Sequence, residues 1–198
     1  MSKSNGNGCL KGCGCFVVIL LIIVGVLAGG GYYLYKANVY TTPEKVEQVS
    51  QEICSITLPE NFSPVLGFNL YVARVAIFMS TAEEPAGGAV CLISIKGDVT
   101  NKKTLDIMRN QFIANMLKNQ SISGFETKEL DSITMADGTQ VNRMVTEVKV
   151  QGQEEPIVMQ EASFQNGDTG VVVAAVALDP AYSDKMEEVI KSIGKPTR

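Results

Sequence analysis

An uncharged stretch of the chain runs from Gly12 to Tyr35 and lies between two lysines. Its centre, residues 16–24, is apolar at every position, whereas a surface helix of a soluble domain keeps one polar face. At about 1.5 Å per residue, residues 16–35 match the roughly 30 Å thickness of a bilayer's hydrocarbon core. The pattern therefore predicts a transmembrane helix over residues 16–35.

A cleaved signal peptide is the alternative interpretation of this stretch. The chain begins with basic residues, and Val26-Leu-Ala28 supplies the small residues that a cleavage site needs. The spanning length and the tyrosines at positions 32, 33, 35 and 40 favour an uncleaved anchor with an interfacial aromatic belt. Under the alternative, the domain is secreted after cleavage near Ala28, so both interpretations predict export.

The head, residues 1–15, is polar and rich in glycine, and it has too little apolar surface to fold. Lys3, Lys11 and the amino terminus favour a cytoplasmic location for this end, because loops with positive charge are retained on that side. The sequence thus predicts a disordered cytoplasmic head, one membrane span and an extracytoplasmic C-terminal domain.

Cys9, Cys13 and Cys15 precede the apolar stretch and are candidates for lipidation or metal binding at the membrane edge. Their spacing matches no standard zinc pattern, so unmodified cysteines are the favoured interpretation. Gly25 and Gly29 have the spacing that lets two membrane helices approach closely, which makes them candidate dimerisation residues.

Residues 36–52 predict a stalk that contains a short helix. Pro43 suits the first turn of this helix, directly after a threonine that can cap it. Val46, Val49 and Ile53 recur on one side at helical spacing. We expect this helix to connect the membrane span to the domain.

Residues 53–195 predict a folded domain that is rich in strands. Its runs of β-forming composition are Ile53–Leu58, Phe62–Tyr71, Arg74–Ser80, Ala89–Lys96, Phe125–Met135, Thr139–Val150, Ile157–Phe164 and Gly170–Leu178. Residues 171–177 are apolar on both faces, which is typical of a strand in the middle of a covered sheet. The Asp137-Gly138 pair and the Asn166-Gly-Asp168 group predict hairpin turns.

Two segments of the domain have helical spacing instead. Apolar residues recur in this way from Leu105 to Leu117, which predicts an amphipathic helix packed on the sheet. The closing helix is expected to be capped by Asp179, with Pro180 at its first position. Its apolar stripe is Tyr182, Met186, Val189, Ile190 and Ile193. The predicted fold class is α+β, with helices packed on an antiparallel sheet.

Several short sequence segments of the domain resemble the PsbP-like and DcrB-like domains. Residues 56–62, Ile-Thr-Leu-Pro-Glu-Asn-Phe, are similar to the Leu-Pro-Glu-Gly-Phe opening of those domains, and Met186–Ile193 resembles their final helix. Ala76–Ser80, a strand at Val90–Ile95 and the helix at 105–117 follow in the same order. The resemblance spans nearly all of the exported domain and implies an α/β/α sandwich.

Members of that superfamily are mostly non-catalytic envelope, thylakoid-lumen or binding proteins that dock on larger complexes. The resemblance therefore implies a binding role. No binding motif of the family matches this chain residue by residue, so it assigns no functional residue here.

Charge and composition exclude several classes of function. Three of the 17 basic residues precede residue 37 and all 21 acidic residues follow it, which leaves residues 37–198 with a net charge of −7. This balance argues against nucleic acid or an anionic lipid surface as the domain's partner. The chain has no histidine, so Ser-His-Asp and Cys-His arrangements are excluded, along with the commonest zinc ligand.

Few residues are candidates for chemistry. The carboxylate pairs Glu83–Glu84 and Glu154–Glu155 lie in predicted loops, where solvation is favoured over acid–base or cation-binding roles. Arg74 and Arg143 lie in strands, and alternation favours a solvated face over an anion pocket for both. The sequence predicts no catalytic, metal-binding or cofactor-binding residue.

Cys54 and Cys91 are the two cysteines of the domain. They can form a disulfide in an exported protein, or they can be buried thiols. Both interpretations stay open at this point.

These features predict a single-pass envelope protein whose exported domain binds or supports another envelope protein. The alternative is a small-ligand or lipid-binding domain held near the bilayer, with an apolar pocket under the helix at 105–117. An enzyme of unfamiliar type is the third hypothesis, and it requires polar groups that converge in a cleft.

Overall fold

The structure is a computed structural model that describes residues 38–81, 87–97, 122–135, 138–152 and 154–196. The predicted head, the predicted transmembrane helix and the predicted helix at 105–117 lie outside these residues. Nearly all described residues belong to one compact unit, Tyr40–Arg198. Among them, no helix has both the length and the apolar character needed to cross a bilayer.

The described residues form strands and helices in an α+β arrangement, as the sequence predicts. Their order is β1 (Val39–Tyr40), α1 (Pro43–Ile53), β2 (Phe62–Leu70), β3 (Ala73–Ser80), β4 (Gly88–Lys96), β5 (Ile122–Thr134), β6 (Gln140–Val150), β7 (Ile157–Asn166), β8 (Thr169–Ala177), a 3₁₀ turn (Pro180–Tyr182) and α2 (Ser183–Lys191). The strands form one sheet in the order β1-β2-β3-β4-β8-β7-β6-β5. In this order, each strand from β2 onward is antiparallel to the next, as far as the last strand, β5.

Strand β8 lies in the middle of this sheet, between β4 and β7. It is buried at every position from Gly170 to Ala177, because both of its faces are covered. The apolar run at 171–177 thus marks the central strand, as predicted.

Glycines with positive φ form the tight turns between strands. Gly167 has φ 63° in the turn between β7 and β8, where the sequence predicts a hairpin. Gly138 has φ 86° in the connection between β5 and β6, while Asp137 lies outside the described residues. An L-residue with a side chain would be strained in either conformation.

Helix α1 begins at Pro43, as predicted, and packs on β2, β3 and β4. Its stripe of Val46, Val49 and Ile53 is buried in the main core cluster. The prediction of a stalk over residues 36–52 is therefore wrong for this helix. The stripe that suggested an amphipathic stalk is the surface through which α1 joins the core of the domain.

The strand predicted at Ile53–Leu58 is also wrong. Ile53 is the last residue of α1, because its side chain completes the buried stripe of that helix. The residues that follow are irregular, apart from a bridge between Ser55 and Gly194.

The closing helix is preceded by a 3₁₀ turn. Asp179 Oδ1 accepts a hydrogen bond of 2.8 Å from the Ala181 backbone N–H, so the predicted capping residue acts on this turn. Helix α2 then begins at Ser183. The predicted stripe is buried against β7 and β8, with Met186 and Ile190 both 0% exposed.

Helices α1 and α2 lie on the same face of the sheet, since their stripes belong to one core cluster. We call this the helix face. On the opposite face, Cys91, Ala174 and Val176 are only 2%, 4% and 2% exposed. Both faces of the central strands are therefore buried.

Candidate functional site

Two open grooves lie on the helix face, on either side of the segment Leu58–Glu60, which we call the ridge. The α1 groove has a volume of about 520 Å³, and its lining includes Glu47, Gln51, Ile56, Glu60, Phe62 and Phe78. The α2 groove has a volume of about 670 Å³, with Thr57, Asn61, Lys185, Glu188, Val189 and Ser192 in its wall. The ridge is common to both grooves.

The N-terminal side of the ridge is bonded to the end of the chain. Ser55 and Gly194 exchange two backbone hydrogen bonds, of 3.2 and 2.9 Å. The Thr57 backbone N–H donates to Ser192 Oγ at 2.8 Å, just after α2 ends. These bonds fix the ridge against α2.

The C-terminal side of the ridge is held by Asn61. Its Nδ2 donates to Ser80 Oγ at 3.0 Å and to Tyr182 Oη at 3.1 Å. Its carbonyl oxygen accepts from the Thr81 backbone N–H at 2.7 Å. The Phe62 N–H donates to the Pro59 carbonyl at 3.0 Å, which closes the turn. The ridge is thus anchored at both ends.

Carboxylates surround the grooves. Glu47 of α1 and Glu60 of the ridge are exposed and line the α1 groove, while Glu188 of α2 is exposed and lines the α2 groove. Within the described part of the chain, none of these three carboxylates forms an ion pair. Lys185 is the neighbouring cation in the α2 groove, and its Nζ lies 4.5 Å from the centre of the Tyr182 ring.

The α1 groove has an apolar floor beneath its charged rim. Phe62 and Phe78 are 9% and 3% exposed there. Ile56 and Leu58 are half-buried beside them and pack against the core. An apolar surface between carboxylates is suited to binding.

Glu154 and Glu155, one of the two carboxylate pairs singled out from sequence, line neither groove. Glu154 and Glu155 are exposed between β6 and β7, as predicted. Glu83 and Glu84 lie outside the described residues. Across the described ranges, no group of three or more Cys, Asp or Glu side chains could hold a metal ion.

The candidate disulfide between Cys54 and Cys91 is not formed, and both cysteines are free and buried. Cys54 belongs to the core cluster on the helix face. Cys91 alternates with Val90 and Leu92 of that cluster, so it points to the opposite face. The sheet separates the two thiols. Burial raises the pKa of each from 9.0 to about 12.

Arg143 is buried, and the solvated face predicted for it is wrong. Its side chain is 8% exposed. Its Nε and Nη2 donate to the two oxygens of Asp131, at 2.9 and 2.8 Å. Asp131 lies directly opposite on β5, so the pair joins two neighbouring strands.

The same guanidinium connects the sheet to α2. Arg143 Nη1 lies 3.3 Å from Glu187 Oε1 and 3.5 Å from Gln160 Oε1. Gln160 Nε2 in turn donates to the Ser183 carbonyl oxygen at 3.3 Å. The hydrogen bond from Lys191, assisted by the charge of Arg143, lowers the pKa of Glu187. This network fixes the start of α2, the helix that lines one groove.

Arg74 is closer to its prediction, because its side chain is 38% exposed and pairs with Glu52 at 3.1 Å. The remaining predicted positions lie outside the described residues. They are Cys9, Cys13, Cys15, Gly25 and Gly29.

The domain described so far is an open antiparallel sheet with two helices and a grooved surface. No protein-family model matches the chain, and no curated protein matches it.

The solved structures that resemble the chain include two distant likenesses. One is a crystal structure from Bacteroides thetaiotaomicron VPI-5482, at 12% identity and a TM-score of 0.34, over 80% of this chain and 48% of that chain. The chain thus spans about half the length of that protein. The other is the solution structure of cyanobacterial PsbP (CyanoP) from Synechocystis sp. PCC 6803, at 9% identity and a TM-score of 0.36, over 73% of this chain and 93% of that chain. Such scores do not assign the chain to a family, so the resemblance to PsbP-like domains stays a prediction.

Proposed function

We propose that the protein is a single-pass membrane protein whose extracytoplasmic, PsbP-like domain is non-catalytic and binds or supports another envelope protein. The observation that supports it most is the anchored ridge at Leu58–Glu60 between two open grooves. Rigid surface features bind with little loss of conformational entropy, because their bound geometry exists beforehand.

The shape of the grooves favours a macromolecular partner. Ligand pockets commonly bury about 70–90% of a small molecule. Both grooves here are open to solvent on one side and share a wall, so together they form one continuous grooved surface. A partner's side chains can enter both grooves from the solvent side.

A small-ligand or lipid-binding role is the alternative. The observation in its favour is volume, since about 520 and 670 Å³ fall within the range of ligand pockets. The apolar pocket predicted under the helix at 105–117 lies outside the described residues.

Membrane attachment rests on the uncharged stretch at 16–35 and on the basic head. Protease added to spheroplasts is expected to digest the domain after residue 37 and to leave a short, membrane-protected fragment. Protection of the whole domain would overturn the proposed orientation.

Partner binding is tested by crosslinking in intact membranes, followed by affinity purification of the full chain. A chain that keeps residues 1–40 but replaces the domain with a soluble reporter is the matched control. We expect a second envelope protein with the full chain and not with the control. Recovery of this protein alone, or the same proteins from both, would contradict a partner of the domain.

We also propose that residues 98–121 cross the face opposite to the helices, which completes an α/β/α sandwich. Strands β4 and β5 run parallel and are separated by β8, β7 and β6. Parallel strands of one sheet are joined by right-handed crossovers in about 98% of cases. Handedness therefore selects the face that the connection covers.

The hydrogen bonds at the end of β4 define that face. Lys96 N–H donates to the Val72 carbonyl of the β2–β3 turn, whereas Gly97 N–H donates to the Asp168 carbonyl beside β8. Consider the sheet viewed from the face on which the Cys91 side chain lies, with β4 running upward. For L-residues, these hydrogen-bond directions then place β8 to the right of β4. A right-handed crossover to β5 then passes over this face.

Paired substitutions test the proposed sandwich. Met108→Asp on the apolar stripe is expected to lower the midpoint of chemical denaturation of the full chain strongly. Asn110→Asp, two positions away, is expected to change it little. Equal effects of the two substitutions would contradict packing of this stripe on the sheet.

A further inference from the structure

Resting on the proposed function, we propose that the α1 groove binds an extended segment of the partner protein in which basic and apolar residues alternate. The basic side chain lies between Glu47 and Glu60, and the next apolar side chain lies on the floor made by Phe62 and Phe78. This assigns both a site and a partner chemistry to the domain.

Charge is the first argument. Glu47 approaches the groove from α1 and Glu60 from the ridge, so the two carboxylates line it from different elements. Among the described residues that line this groove, none is a lysine or an arginine. Neither carboxylate is paired within the described residues. A cation between them gains two charge-assisted hydrogen bonds without displacing an existing partner.

The floor of the groove is the second argument. Ile56 and Leu58 are half-buried, and they continue the apolar surface of Phe62 and Phe78 to the groove's edge. Covering such a surface removes apolar area from water. In an extended chain successive side chains point to opposite sides. A single segment can therefore direct alternate residues to the floor and to the rim.

The fixed position of the ridge is the third argument. Glu60 lies between Pro59, whose φ is restricted, and Asn61, whose side chain bonds to Ser80 and Tyr182. The acceptor on the ridge is thus held before the partner arrives. The α2 groove differs, because Lys185 lies in its wall and opposes a second cation there.

The test uses the full chain in phosphatidylcholine nanodiscs and a fluorescent synthetic peptide of alternating lysine and leucine. Binding is measured by fluorescence anisotropy at low and high salt. We expect saturable binding that weakens as salt rises, and no binding of the matching peptide of alternating glutamate and leucine. Equal binding of both peptides, or none of the lysine peptide, would overturn the proposal.

Matched variants separate the site from the general charge of the domain. Glu47→Gln with Glu60→Gln is expected to weaken binding about fivefold, the size expected for two exposed ion pairs. Glu154→Gln with Glu155→Gln removes the same charge elsewhere and is expected to change affinity by less than about twofold. Equal weakening by both double variants would show non-specific attraction and overturn the site.

The proposed function has its own readout, which is the crosslinking of native membranes described above. A captured partner whose contact segment lacks lysine and arginine would overturn this inference and leave the proposed function intact. Failure to capture any partner would count against the proposed function itself.

Discussion

Arg143 carries a charge in the interior of the domain, and partners on different elements compensate for it. Asp131 accepts two hydrogen bonds from the guanidinium, and Glu187 pairs with its Nη1. Burying an ion without a partner is costly, so the stability of this region depends on the carboxylates rather than on the arginine alone.

Asp131→Asn is expected to lower the free energy of unfolding by about 1–3 kcal/mol, because it leaves the buried guanidinium without its bidentate partner. The lower part of the usual range applies, since the Asp131 side chain is 35% exposed. Glu126→Gln, at an exposed ion pair of the same strand, is the control and should cost clearly less than Asp131→Asn, because solvent screens that pair. Chemical denaturation followed by circular dichroism measures both. Equal losses would contradict the role assigned to Asp131.

The buried thiols make stability depend on pH above neutrality. In the folded state the pKa of Cys54 and Cys91 is about 12, against 9.0 when they are exposed. Between these values the unfolded chain has lost the thiol protons and the folded chain keeps them. Stability is therefore fully present below pH 9 and falls as pH rises towards 12, by at most about 1.4 kcal/mol per pH unit for each thiol.

Replacement of both thiols tests this linkage. Cys54→Ala with Cys91→Ala should be less stable at pH 8 but should show a shallower decline between pH 9 and 12. The measurement is the free energy of unfolding at each pH for the variant and the natural sequence. Parallel curves would mean that the two thiols do not titrate differently in the folded and unfolded chain.

At the scale of elements, the pairing of β4 with β8 depends on the absence of a side chain at Gly88. Gly88 lies opposite Ala177 at the end of β8. A Cβ added there would collide with the Val176 backbone oxygen, and backbone cannot rotate away. The two strands would have to separate at this end.

Gly88→Ala is accordingly expected to destabilise the fold by about 1–3 kcal/mol, as overpacking does in a closely packed interior. Gly124→Ala is the matched control, because a Cβ at Gly124 meets nothing within 4 Å. The control should be neutral or slightly stabilising. Thermal or chemical denaturation distinguishes the two, and a neutral Gly88→Ala would contradict the described pairing.

Local sequence patterns predict most of the described helices and strands. Strands β2, β3, β4, β6, β7 and β8 agree with the runs seen in sequence because each has a β-forming composition and a turn beside it. The register of the β5–β6 hairpin can also be predicted from the sequence. A turn at Asp137-Gly138 places Asp131 opposite Arg143. The register thus indicates a partner for the Arg143 charge, whereas alternation alone predicts that this charge faces solvent.

Sequence predicts a turn at Pro59-Glu-Asn61, as observed, but not the contacts that fix the ridge. Ile56–Leu58 has strand-like composition, but its backbone partners lie at the far end of the chain. Thr57 bonds to Ser192 across 135 residues of sequence. Short-range propensity contains no information about such a contact, so composition alone predicts a strand here.

At the scale of the whole molecule, the domain is acidic, and beside an apolar groove it presents carboxylates that form no ion pair with another described residue. The net charge of residues 37–198 was available from sequence, but the placement of Glu47 and Glu60 around one groove required the fold. Topology explains this: α1 and the ridge are brought together by packing on the same face of the sheet.

The central claim is that the domain binds a protein through the ridge and its grooves. Its most direct test places a photocrosslinking amino acid at Thr57, which is exposed beside the ridge, in the full chain within native membranes. The same amino acid at Glu154, exposed between β6 and β7, is the control. We predict a light-dependent adduct with a second envelope protein from position 57 and none from position 154. No adduct from position 57, or the same adduct from both positions, would contradict the claim.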